Sequence, residues 1–360
     1  MTRKTFLILA IMACILFPLS AFDYRLDLIS LTPLYEEYDA DNHRASLDFQ
    51  YGAIYQGYPE GFYQNDNYFP FVDSDVLRIR PFVATYHMGE TLSLLKNTFT
   101  FDHWLSPIAF DFAFQGSLTG VLEGEVADTI GYDGEYFFGM TMSIADVLSF
   151  RFGGSHYCSH YGDGSYKVIA TGGGVPSNFD EWFKYLRMDS MIFGLSLQPV
   201  DFVRVYAEID FATKNTSVLP YYFEPEWGPG NSIADDVPSS YGARIVNFGI
   251  EFEYPIFKSL GMTRIAYGCA AYEEGKIVYR HEDLAAAGRT KPFYDPNRPW
   301  EFEHTINISQ EINDLVSFDI TWHYGRFMLN SYFDTKSQYV TIGARLDFDG
   351  TVTLYDSARD

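Results

Sequence analysis

The chain has 360 residues, with 48 acidic against 25 basic side chains, a formal net charge of −23 and 18% aromatic content. Such acidity excludes nucleic acid as a partner, because a phosphate backbone is met by a basic surface. Beyond the N-terminus no apolar run approaches the roughly 20 residues of a spanning helix, so a helical membrane protein is excluded too.

The opening, MTRKTFLILAIMACILFPLSAFDYR, reads as an export signal over residues 1–21. Arg3 and Lys4 give the positive start, Phe6 to Leu19 the apolar stretch, and Leu19-Ser20-Ala21 the cleavage site. A rival reading makes Ile11-Met12-Ala13-Cys14 a lipoprotein box acylated at Cys14, although the apolar run continues well past that residue. Without Cys14 the chain keeps Cys158 and Cys269, far apart in strand order, and no disulfide framework is expected.

Residues 22–44 carry a charged stretch from Glu36 to Asp41 and no sustained strand pattern, so they are expected to form a periplasmic lead-in, partly tucked into the domain that follows. From 45 to 348 the pattern is period two. Ala45, Leu47, Phe49, Tyr51, Ala53 and Tyr55 mark a first strand, and Leu77, Ile79, Pro81 and Val83 a second. His87 to Pro107 is strand-like, but counting it would break the alternation of long and short connections, so it is expected to be a periplasmic connection. Ile108 to Phe114 gives the third strand. Tyr136 to Ile144 and Leu148 to Phe152, joined by a tight turn at Ala145-Asp146-Val147, give the fourth and fifth. Further strands follow at Met191–Leu197, Val203–Phe211, Tyr241–Tyr254, Thr263–Glu273, Phe302–Ser309, Val316–His323 and Val340–Phe348. Residues 349–360 are left as a short periplasmic tail.

The sum is about twelve strands, within a range of 10–14, and an all-β fold: a transmembrane antiparallel β-barrel of the bacterial outer membrane, with its long loops outside the cell. A soluble β-sandwich would also alternate, but its outward face would be polar; here the apolar face is aromatic-rich on every strand. Thr341 to Phe348 looks like the closing-strand signature by which barrel assembly machinery recognises its clients. The remaining expected partners are outer-membrane lipids, and the barrel is expected to be a monomer without metal or cofactor.

The polar faces place Arg78, Arg80, Asp111, Arg204, Glu208, Asp210, Glu251, Glu253, Asp319, His323, Arg345 and Asp347 inside. Mixed charges in a confined bore pair with one another, because a lone buried charge is costly. The alternative is a pore whose rings of charge select a permeant. The choice rests on whether the lead-in or a loop fills the bore.

One stretch carries more than wall chemistry: the fifth strand leaves its apolar pattern and ends in His156, Cys158, Ser159, His160 and Asp163. His156, Cys158 and His160 share the face of Phe150 and Phe152, which is the lipid face. A β-bulge at Gly153-Gly154 would instead turn them into the bore. The two histidines lie on the order of 13 Å apart along a strand, too far to hold one metal ion together.

A His-x-nucleophile pair on an outward strand face resembles outer-membrane phospholipase A and lipid A deacylase. The resemblance implies His156 as general base, Cys158 in the place of the serine, and Asp189, at the start of the descending strand, orienting His156. More broadly, DGEYFFGM…FRFGGSHYCSHYGD, RMDSMIFGLSL…VRVYAEIDF and YFDTKSQYVTIGARLDF resemble a bacterial outer-membrane family (a domain of unknown function) with an H-x-S-S-H-x-G-D-E signature. Cys158 stands for its first serine and Gly164 for its final glutamate. The functional expectation is an envelope, transport or structural surface barrel. The alternatives are a narrow solute pore and a lipid-acting hydrolase.

Overall fold

A computed structural model describes residues 22–57, 82–123, 129–161, 184–220, 244–278, 285–288, 293–329 and 336–358, apart from positions 42, 103, 214–216, 258, 274–275, 296 and 298. The strands in chain order are β1 (Asp23–Ser30), β2 (Leu47–Gln56), β3 (Phe82–Thr100), β4 (Ile108–Glu123), β5 (Thr129–Ile144), β6 (Leu148–Tyr161), β7 (Lys184–Val200), β8 (Val203–Ala212) and β9 (Ser217–Pro220). Next come β10 (Arg244–Tyr254), β11 (Thr263–Glu273), β12 (Lys276–Val278), β13 (Phe293–Asp295), β14 (Trp300–Asn313), β15 (Val316–Arg326), β16 (Lys336–Leu346) and β17 (Thr351–Asp356).

Twelve of them close into an antiparallel barrel in the order β2, β3, β4, β5, β6, β7, β8, β10, β11, β14, β15 and β16, with β16 returning to β2. Closure leaves every wall strand paired on both sides, which is what a bilayer demands of a spanning sheet. Exposure alternates along the wall: Leu47, Phe49 and Tyr51 of β2 are exposed, while Asp48 and Gln50 are buried. Phe110, Phe112 and Phe114 of β4 likewise lie outside and Asp111 inside. An aromatic exterior around a polar interior is the spanning form of the bacterial outer membrane, where this barrel belongs.

The tight turn between β5 and β6 has left-handed backbone at both Ala145 (φ 57°) and Asp146 (φ 52°). That is the two-residue hairpin whose twist matches the flanking strands, and the Val147 N–H closes it onto the Ile144 carbonyl at 3.1 Å.

The second wall strand differs from expectation. It is β3, which begins at Phe82, so His87 to Thr100 is wall and not connection. Positions 58–81, including Arg78 and Arg80, lie outside the described residues. The upper part of β3 pairs with β2, from Ala53↔Phe82 to Leu47↔Met88. Its lower part runs on past the start of β2 and pairs with β1 instead, from Ser30↔Ser93 to Asp23↔Thr100. A bulge between Leu94 and Asn97, with Leu95 left-handed (φ 52°), bends β3 there. The other edge of β1 is taken by β17. The lead-in and the tail, neither of which the sequence marks as strand, therefore pair with each other and cover an otherwise open sheet edge.

Between β1 and β2, residues 31–46 turn into the bore. Tyr35 and Tyr38 are buried there with Tyr206 of β8. Arg44 donates to Asp319 at 3.1 Å, and Arg345 donates to Asp39 at 2.8 Å. Arg204 reaches the backbone carbonyls of Glu36 (3.1 Å) and Glu37 (2.5 Å). The Glu37 carboxylate accepts from Thr91 at 2.7 Å. The lead-in is a plug, and the charged bore is its socket.

Candidate active site on the lipid-facing wall

Strand β6 pairs without interruption, from Ile144↔Leu148 to Gly131↔Tyr161 on one side and from Leu148↔Leu197 to Ser159↔Leu186 on the other. No bulge interrupts it at Gly153-Gly154. Gly153 serves a different end. Gly153 faces Gly139 across the β5–β6 pair, and the ring of Phe137, buried in the bore, fills the space that both would give to a Cβ. Register therefore carries unbroken to the tip, with Arg151, Ser155, Tyr157 and Ser159 buried and Phe152 exposed. His156, Cys158 and His160 alternate with the buried set and so lie on the outer wall.

The inner face holds this end of the strand in place. Tyr157 and Ser159 both donate to the Asp133 carboxylate, and the Ser155 hydroxyl is 2.8 Å from that of Ser190. On the outer face, His156 lies opposite Asp189 of β7 in register. Its Nδ1 hydrogen-bonds the Asp189 carboxylate at 2.5 Å. The imidazole also stacks on Tyr136 of β5, with ring centroids 4.9 Å apart and planes 23° from parallel. His156 is thus oriented from both sides, by a carboxylate and an aromatic face. A carboxylate on Nδ1 leaves Nε2 as the basic nitrogen, the tautomer a general base needs. Both partners are shielded, with side chains 18% and 22% exposed. Cys158, which is in no disulfide, is two residues further along the same face, opposite Gly134 of β5. Cys158 and His156 thus share one face of β6, two residues apart, with Asp189 facing His156 from β7, the residue types with which a held base activates a nucleophile. His160 repeats the stacking theme on Tyr132, at 5.0 Å.

The expected bore residues are placed as follows. Asp111 is buried and accepts from Ser93 and Thr141. Arg204 pairs with Glu251 at 2.5 Å, Arg264 with Glu253 at 3.2 Å, and Arg345 with both Asp39 and Asp347. Glu208 pairs with Arg151. His323 is fully buried, bonded to Thr305 at 3.0 Å and to the Arg326 carbonyl at 2.9 Å. Asp210 is buried, and its Oδ1 has no hydrogen-bond partner. Sequence reasoning missed Arg151, although period two from Phe150 and Phe152 marks it as inward. It also missed Tyr136, which only pairing register brings under His156.

No family model matches the chain, and neither does any curated protein. Among solved structures, outer membrane phospholipase A from Escherichia coli is similar with a TM-score of 0.45 at 8% identity, over 87% of this chain and 98% of that one. The outer membrane channel DcaP of Acinetobacter baumannii has a TM-score of 0.29 at 12% identity, over 91% of this chain and 98% of its own. The transport unit of the autotransporter AIDA-I from Escherichia coli has a TM-score of 0.34 at 9% identity, over 92% of each chain.

Proposed function

We propose that this outer-membrane barrel transfers acyl groups from membrane lipids, using Cys158 as nucleophile. The observation that carries the reading is the 2.5 Å contact between His156 Nδ1 and Asp189, on the lipid-facing wall and two residues from the Cys158 thiol. A polar pair on a lipid-facing wall costs desolvation, so its presence there favours a chemical role. His156 takes the Cys158 proton as the thiolate attacks a lipid ester carbonyl. The ester C–O bond breaks, the leaving alcohol receives that proton, and the acyl group rests on sulfur. Water, deprotonated by His156, then breaks the thioester and releases a fatty acid with the thiol restored. The resemblance to a family with serine at the position of Cys158 supports the reading, since both residue types are nucleophiles beside a histidine.

The plugged bore speaks against the solute pore. Tyr38, Asp39 and Arg44 occupy the bore itself, joined to Tyr206, Arg345 and Asp319 of its wall.

The test is fatty-acid release from phospholipid mixed micelles by the purified barrel, with His156→Ala and Cys158→Ala beside the wild type. Release that falls by two orders of magnitude in both variants supports the proposal. No release by wild type, or equal release by all three, rejects it and leaves the tip as a polar girdle at headgroup level.

A further inference from the structure

Beside the plug, the bore holds a half-open cavity of about 100 Å³. Its ionisable lining is lopsided. Arg151 is engaged with Glu208, Arg326 with Glu301 at 3.4 Å, and His43 with Asp133 at 3.5 Å. Four further carboxylates line the space: Asp41, Glu135, Asp210 and Glu303. Among the described residues Asp41 accepts a backbone N–H, from His43 at 2.9 Å. Glu303 has a backbone hydrogen bond from Arg326, and His323 Nε2, a neutral imidazole nitrogen bonded to the Arg326 carbonyl, lies 3.9 Å away. Among the described residues neither Glu135 nor Asp210 has an ion pair. Asp210 is 9% exposed, and its Oδ1 meets no donor. A buried carboxyl without a partner is costly when charged, and the cost is relieved by taking up a proton or by a cation brought from outside.

The arrangement also selects among cations. Among the described residues no three ligating side chains come together closely enough to hold one metal ion. The carboxylates are spread around a chamber walled by Tyr38, Tyr157, Tyr206 and Tyr272. Tyr38 and Tyr206 stack on each other and Arg326 covers Tyr272, so what these rings offer is their edges, against which the methylenes of an organic cation pack.

We propose that this cavity binds a small aliphatic polyamine, with one ammonium on Asp210 and others spread towards Glu135 and Glu303. The site lies in the bore and is independent of the chemistry on the outer wall. The experiment is calorimetric titration of spermidine into the full-length barrel in zwitterionic detergent at physiological salt. Asp210→Asn is compared with Asp314→Asn, an exposed turn position that controls for attraction to the acidic surface. Heat-modifiable gel migration verifies that each variant has assembled. One spermidine per barrel, weakened at least tenfold by Asp210→Asn and unchanged by Asp314→Asn, supports the site. If Asp210→Asn does not assemble, Glu135→Gln takes its place with the same expectation. Absence of binding, wild-type affinity in the bore variant, or displacement of spermidine by an equal concentration of calcium would each overturn it.

Discussion

Tyr38 of the lead-in lies flat on Tyr206 of the wall, with ring centroids 3.7 Å apart and planes 8° from parallel. It is the apolar centre of an otherwise charged seat for the plug. Truncating either buried ring removes about 3–5 kcal/mol, and the pair itself is worth roughly 1 kcal/mol beyond burial. We expect Tyr38→Ala and Tyr206→Ala each to lower the thermal midpoint in detergent, and the double variant to lose less than their sum. Strict additivity would show that the rings do not act as a pair.

The plug should be what keeps the barrel closed. Wild type in planar bilayers is expected to give a flat current trace. Replacing residues 34–43 by a Gly/Ser linker of equal length is expected to give discrete conductance steps, since Tyr38, Asp39 and His43 no longer fill the bore. An equally flat trace from an assembled linker variant would mean that other segments seal it.

Seating of the plug should depend on pH in both directions. Burial works against charge on His43, but the Asp133 carboxylate, with Asp41 and Glu303, outweighs it and holds the imidazole up at about 9. A raised histidine contributes fully below its unfolded value of about 6.5, and that contribution is lost as pH rises through about 9. Burial also works against charge on Asp39, but Arg345, Arg264 and Arg44 outweigh it and hold that carboxyl well below the usual range. Its contribution is complete above about pH 4 and drains away beneath it. The melting midpoint should therefore be flat from about pH 4 to 6.5 and fall on either side. His43→Gln should flatten the alkaline fall, and a wild-type midpoint constant up to pH 10 would refute this account.

The neighbouring glycines of β6 should answer oppositely to substitution. A Cβ on Gly153 would lie 2.4 Å from the Phe138 carbonyl oxygen and 2.7 Å from the Phe137 ring, whereas one on Gly154 meets nothing nearer than 3.8 Å. Gly153→Ala is expected to shift most of the protein to the unassembled gel band, and Gly154→Ala to leave assembly unchanged. Comparable bands from the two would contradict the unbulged register.

Asp189 offers a finer probe of the outer site. Asp189→Asn keeps a hydrogen bond to His156 but reverses the preferred tautomer, so micellar hydrolysis should fall by several orders of magnitude while Tm changes by little. Asp189→Glu should recover part of the rate. Activity that follows Tm across these variants would point to packing instead.

Period two was legible wherever one face met lipid and the other a polar bore. That is why Phe302 to Ile308 and Val340 to Phe348 were found as wall strands. The lower half of β3 escaped because His87 to Pro107, strand-like but read as a separate segment that would upset the alternation of long and short connections, continues the strand that holds Val83 as far as Thr100. The approach of Asp189 to His156 followed from face and register alone, since period two and one hairpin suffice to align them. The plug was half-legible. A charged lead-in and unmatched charges on the wall were visible, but which of them meet depends on a path through space that no local pattern encodes.

The clasp of β1 between β3 and β17 has a consequence for assembly. The Tyr24 backbone N–H donates to the Ser357 hydroxyl at 2.7 Å, across a sequence separation of 333. A contact of that order is entropically unfavourable in an open chain and slow to find, yet easy once twelve strands have brought both partners to one rim. The clasp that covers this edge also anchors the N-terminal end of the plug, so the two ends of the described chain together hold the seal of the bore.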